Sequence, residues 1–185
     1  MSKELLERFF GAVNRQFSYG GVKYAQTSEK EATDVLFDDF GANWLFGTIA
    51  KYCKRFSNLA REKDLMKIAC YMFILWLKRG FHLNEKGTPE IINTTVEVKS
   101  KYFNVFKERF VRFISFSKLN QQIAENPIQR IYDLLFAFGN IEFNYIHEED
   151  LFEIFYHAFC LWCREIPDDK KETDEDVYNE RKNKE

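Results

Sequence analysis

Apolar residues recur along this chain at the three-and-four spacing of a helix face, and the pattern breaks at a few glycine, proline and asparagine positions. Residues 3–17 place Leu5, Leu6, Phe9, Phe10, Val13 and Phe17 on one stripe that stops before Gly20-Gly21. Ser28-Glu29-Lys30-Glu31 fits a capping box and predicts a short helix from residue 28 to about residue 38, broken by Gly41. A third helix over residues 42–56 points Leu45, Ile49, Tyr52 and Phe56 inward. The fourth, over residues 61–79, carries the longest unbroken apolar run, from Ile68 to Leu77. A helix apolar all round must be covered on most sides, which predicts an all-α, multi-helix bundle built around this central helix. Asn58 is a candidate N-cap for it, and Lys78-Arg79-Gly80 supplies last-turn cations and a glycine for the left-handed stop.

Thr88-Pro89-Glu90 reads as the start of a long helix reaching about residue 117, with Val96, Phe103, Phe106, Phe110, Phe113 and Ile114 inward and a bend near Thr94-Thr95. Asn126-Pro127 opens a helix over residues 127–138, and Ile141, Phe143 and Tyr145 alternate over a span read as an extended connector. The last helix, residues 147–165, buries Leu151, Ile154, Phe155, Phe159 and Trp162 and is stopped by Pro167. Residues 1–167 therefore form one helical domain. Residues 168–185 hold eight acids and five bases with almost nothing apolar, the composition of a charged, disordered tail.

Composition narrows the function classes. Aromatics make up 17% of 185 residues, so much of the core is ring on ring. A formal charge of -2 excludes binding of nucleic acid by overall charge and leaves only local patches. The apolar run is half the roughly 20 residues a membrane span needs. All four cysteines fall inside predicted helices, and the first residues lack the apolar core of a secretory signal, so a cytoplasmic location is expected, with no membrane partner.

Two charge clusters are candidates for chemistry. Glu31, Asp34 and Asp38 share one face of the second helix, opposite Ala32, Leu36 and Phe40, and such carboxylates suit magnesium; the alternative is a solvated acidic face. Lys51, Lys54 and Arg55 form a compact cationic patch suited to phosphate, which Arg61, Lys63 and Lys67 extend if the third and fourth helices pack antiparallel. Cys160, Cys163 and His157 sit together in sequence, but without a second ligand pair they read as buried thiols beside a histidine. There is no glycine-rich phosphate loop.

The blocks Lys23-Tyr24, Glu31-Ala-Thr-Asp34-Val-Leu, Phe46-Gly47-Thr48-Ile49-Ala50-Lys51-Tyr52-Cys53-Lys54-Arg55 and Asp64-Leu65-Met66-Lys67-Ile68-Ala69-Cys70-Tyr71-Met72 arrive in one order over residues 23–72. Together they resemble a family of short phage and bacterial proteins of unknown function, often labelled nucleotide-kinase-like. Thr48 and Ile68 stand where that family commonly has Asn and Ala. More distantly, the arrangement is similar to the all-α NTP pyrophosphohydrolases, although their doubled Glu-x-x-Glu helix is missing. The resemblance implies a nucleotide-binding protein with a magnesium-dependent, pyrophosphohydrolase-like activity. It would use Glu31 and Asp34 with Asp38 or Asp64 for the metal, and Lys51, Lys54, Arg55 and Lys67 for the phosphates. Two other classes stay open: a helical interaction module, such as a homodimer, and a nucleic-acid-binding subunit using Lys51, Lys54, Arg55, Lys107, Arg109 and Arg112. Whether Glu31, Asp34 and Asp64 converge separates these readings.

Overall fold

The helix α4, Glu62–Lys78, is the axis of the structure, a computed structural model that describes residues 2–24, 32–84, 86–87, 92–117, 125–168 and 171. From Leu65 to Leu77 every residue except Lys67 and Tyr71 is buried. Its stop is the one predicted: Gly80 takes φ +74°, its N–H reaches the Leu77 carbonyl at 2.8 Å, and the Phe81 N–H reaches Trp76 at 3.3 Å. That is the Schellman arrangement, and the left-handed residue in it favours glycine.

Around α4 stand α1 (Lys3–Tyr24), α2 (Ala32–Phe40), α3 (Ala42–Leu59), α5 (Val96–Phe116), α6 (Pro127–Gly139) and α7 (Glu148–Glu165), with a 3₁₀ turn at Phe143–Tyr145. Among the described residues there is no strand, so the fold is the expected all-α bundle. Helices α1, α3 and α7 pack directly on α4, α6 bridges α3 and α7, and α5 closes the side formed by α1 and α7. No helix of the described residues is long and apolar enough to cross a membrane.

Several local expectations are corrected. Asn58 lies inside α3 rather than capping α4; α3 runs on to Leu59 and closes with Ala60 in the left-handed region at φ +44°, its N–H on the Phe56 carbonyl at 2.8 Å. Residues 92–95 are not helical, and α5 starts at Val96, where the Thr95 hydroxyl accepts from the Val98 N–H at 3.3 Å. Thr94 is held out of the helix because its N–H and hydroxyl both donate to Asp34. The alternating connector is the 3₁₀ turn. The Ser28 capping box and Thr88-Pro89-Glu90 lie outside the described residues. Within the segment read as a solvated tail, Lys171 is buried; its Nζ sits 4.5 Å from the Trp162 ring centre and 2.7 Å from Asp168.

Candidate functional site

One concavity of about 280 Å³ opens where α1, α2, α3, α4 and α5 meet. Its walls are Phe17, Leu36, Trp44, Tyr52, Tyr71 and Ile74, and its polar lining includes Lys67 from α4 and Lys99 from α5. Helix periodicity puts these groups together. Lys67 and Tyr71 are four residues apart, so they rise one above the other on the one edge of α4 that its neighbours leave open. Tyr71 stacks on Tyr52 of α3 at 6.0 Å and 18°, and meets Trp44 edge-on at 6.3 Å.

Tyr52 is crowded by cations. The Lys51 and Lys67 ammonium groups each lie 4.9 Å from its ring centre, and the Arg55 guanidinium lies at 5.6 Å. The electron-rich ring face attracts them and lets three positive charges gather that would otherwise repel. Of the residues proposed for phosphate, Lys51, Arg55 and Lys67 thus share one aromatic ring, while Lys54 is exposed on α3. Lys67 has no carboxylate partner among the described residues, whereas Arg55 lies 3.4 Å from Asp64.

The residues proposed for metal are dispersed. Glu31 lies outside the described residues. Asp34 does not face solvent with Asp38; it is fully buried, accepts from the Thr94 N–H at 2.8 Å and hydroxyl at 2.9 Å, and pairs with the Lys78 ammonium at 2.7 Å. Lys78 also donates to the Ile92 carbonyl at 2.7 Å, so both buried charges are paired and hydrogen-bonded, as burial requires. The expected face is therefore corrected: Asp34 turns inward with Phe37 behind it, Asp38 is exposed, and Phe40 points outward. Asp64 is buried at the opposite end of α4 from Lys78; at ~1.5 Å rise per residue, roughly 20 Å of helix lies between their α-carbons. No group of three or more acidic, histidine or cysteine side chains suited to a metal ion occurs among the described residues.

Cysteine chemistry is quiet. Cys70 borders the cavity, but burial raises its thiol pKa despite the nearby Lys99 and Lys67, and its Sγ donates to the Val13 carbonyl at 3.7 Å. Cys53 is pushed up to about 12 by burial. All four cysteines are free, and neither Cys70 nor Cys53 presents a thiolate at neutral pH. His157, one turn before Cys160, is buried with its Nε2 3.6 Å from Glu153, and neither ring nitrogen has a hydrogen-bond partner among the described residues.

A second concavity, about 380 Å³, lies over α5 and the start of α7, lined by Arg109, Arg112, Phe113, Phe116, Glu148 and Phe152 among others. Its charges serve the fold. Glu148 accepts from the Trp76 indole and from Arg109, both at 2.6 Å, and Arg109 also donates to the Phe81 carbonyl at 2.7 Å. Burial raises the Glu148 pKa, with the indole and the guanidinium opposing that shift.

Sequence reasoning missed Lys99 and Trp44. Lys99 carried a signal: it lies four residues before Phe103 and seven before Phe106, on the inward stripe of α5.

No protein-family model matches the chain, and no solved structure matches it. Among curated proteins, tubulin-specific chaperone D of Dictyostelium discoideum is 33% identical over 104 residues, covering 48% of this chain. The chain spans about 7% of the length of that relative, so the likeness is local and assigns no family.

Proposed function

We propose that this protein binds a nucleotide in the cavity between Trp44, Tyr52, Tyr71, Lys67 and Lys99. The observation that carries the reading is the meeting of a planar aromatic wall with two lysines in one concavity. Aromatic faces take a base by stacking, and ammonium groups take phosphate oxygens as charge-assisted acceptors. The cations gathered on Tyr52 add positive field at the rim and raise the local concentration of an anionic ligand. The order of blocks over residues 23–72 supports the same class of ligand. Magnesium-dependent hydrolysis receives no comparable support, because Asp34 is engaged by Lys78 and neither Asp34 nor Asp64 lines the cavity.

Thermal unfolding with a panel of nucleotides tests the reading. A ligand present at 100 times its dissociation constant should add about 2.7 kcal/mol of stability. No stabilisation by any nucleotide, with or without magnesium, would remove its basis.

Association through exposed aromatics is a second reading. Phe116 is 85% exposed and Phe136 76%, with Phe40 and Tyr145 also largely open. Large open rings favour a protein contact such as a homodimer. Light scattering that shows a monomer across the accessible concentration range would count against it. The nucleic-acid reading is weakened by geometry, since Lys107 pairs with Glu7 and Arg109 with Glu148.

A further inference from the structure

We infer that the cavity is built for a nucleoside monophosphate held by Lys67 and Lys99 without a divalent metal. This rests on the nucleotide reading above and specifies the charge state of its ligand. The first argument is charge. A phosphomonoester carries about -1.5 to -2 at pH 7 and presents three strong acceptor oxygens. Two lysines from different helices line the cavity, enough to meet that dianion, with Lys51 and Arg55 on the Tyr52 ring at its rim.

The second argument is where the carboxylates are. Magnesium usually reaches a polyphosphate through one or two carboxylates together with the phosphates themselves. Here none of the three buried carboxylates of the described residues lines the cavity: Asp34 holds Lys78 and the Thr94 backbone, Glu62 accepts from the Trp162 indole, and Asp64, whose oxygens have no hydrogen-bond partner among the described residues, lies 3.4 Å from Arg55. Recruiting Asp34 to a metal would strand a buried lysine, which is strongly destabilising.

The third argument is space and readiness. At about 280 Å³ the cavity lies just below the roughly 300–1,000 Å³ typical of ligand sites, which favours a single small nucleotide over a polyphosphate or a strand of nucleic acid. Lys67 rests on the Tyr52 ring and is partly exposed, with no carboxylate among the described residues to surrender when a phosphate arrives. Tyr52 is thus a positioning residue that parks the ammonium at the mouth. Lys99 is buried along the wall with its Nζ 5.7 Å from the Phe17 ring centre.

Calorimetric titration of the full chain with the four ribonucleoside monophosphates, the matching nucleosides, the triphosphates and inorganic phosphate tests this, each in EDTA and in magnesium. At least one monophosphate should bind tenfold or more tighter than its nucleoside and than inorganic phosphate, with less than a twofold change on adding magnesium. Its affinity should rise between pH 5 and pH 7 as the phosphate, with its second ionisation near 6, loses its last proton. Lys67→Gln should weaken the monophosphate at least tenfold and leave the nucleoside unmoved. Because Lys99 is buried, Lys99→Met is compared only after circular dichroism confirms the fold, and Lys67→Gln decides the matter on its own. Binding of triphosphates only with magnesium, or equal affinity for nucleoside and monophosphate, overturns this inference while leaving the nucleotide reading in place. Binding of no nucleotide under any condition overturns both.

Discussion

The two flanks of α4 use aromatic residues in opposite ways. Toward α1, α5 and α7, rings meet rings: Phe106 touches Phe73, Trp76, Phe152 and Phe155 at 5.0 to 5.4 Å between centres, all four edge to face. Phe9, Phe10 and Phe110 extend the cluster. Toward α3, the rings of Tyr52, Tyr71 and Trp44 meet cations and an open cavity. The first flank closes ring on ring around Phe106, worth about 0.5–1.5 kcal/mol per ring pair beyond burial, and in the concavity over α5 and α7 Arg109 and Glu148 are paired with each other. The second flank keeps an opening lined by its rings, with Lys67 lying on Tyr52. The contrast is between charges used by the fold and charges gathered on an aromatic face, and it favours the α3 side for a ligand.

The largest expected effect breaks the packed flank. Trp76→Ala removes a fully buried indole and also the hydrogen bond at 2.6 Å that Glu148 accepts. Truncation of a buried Trp costs about 3–5 kcal/mol. Urea unfolding should show a loss in that range, whereas a loss below about 1 kcal/mol would mean that the α4–α7 contact is not the centre of the fold.

Next comes the buried pair that ties α2 to the end of α4. Lys78→Met leaves Asp34 buried without its countercharge, and breaking such a pair costs about 3–5 kcal/mol. The double variant Lys78→Met with Asp34→Leu should recover part of that loss, because no charge is then stranded. Magnesium should rescue neither. If Asp34→Asn alone stabilised the chain in EDTA, Asp34 would instead belong to a repelling acidic face.

Much of this was legible, and the rest failed for identifiable reasons. The run from Ile68 to Leu77, the Gly80 stop and the Pro127 start are local signals, and each appears in the structure where the pattern put it. Asp34 was misread because a carboxylate on a short helix normally faces water, and its partners lie far along the chain at Lys78 and Thr94. The same distant pairing hid the start of α5, since Thr94 is anchored by a residue 60 positions earlier. In the candidate site, spacing and the resemblance grouped Lys51, Arg55 and Lys67, and only tertiary packing revealed that the Tyr52 ring is what they share and that Lys99 lines the cavity.

A smaller effect concerns acid. Glu153 on α7 is held down at about 2 by the His157 ring at 3.6 Å and by Arg130, whose Nε donates to it at 2.7 Å, against the opposing effect of burial. A carboxyl whose folded pKa is depressed from 4.5 contributes stability that is present above that value and lost as pH falls toward about 2. Glu148, raised by burial, works in the opposite sense. Glu153→Gln should therefore flatten the loss of stability between pH 4.5 and pH 2 while leaving its steepness above pH 6 unchanged. Chemical denaturation at a series of pH values checks this, and an acid limb as steep as that of wild type would refute it.

The smallest expected change in stability sharpens the contrast between the flanks most. Lys67 is half-buried, its ammonium lies 4.9 Å from the Tyr52 ring centre with no carboxylate paired to it among the described residues, and Lys51 stands at the same distance from that ring. Cation–ring contacts at accessible sites contribute about 0.5–1 kcal/mol. Removing one of three neighbouring like charges also relieves repulsion, which offsets part of that loss. Lys67→Gln should accordingly lower stability by no more than about 0.5 kcal/mol, the ordinary range for surface changes. On the packed flank, by contrast, Phe106→Ala should cost about 3–5 kcal/mol. If Lys67→Gln destabilised the chain as a core truncation does, Lys67 would be part of the fold, and the cavity beside it would be a packing defect instead of a place for a ligand. If it leaves the unfolding curve nearly in place and removes stabilisation by nucleotide, then the residue on α4 that is least needed for the fold is the one most needed for binding.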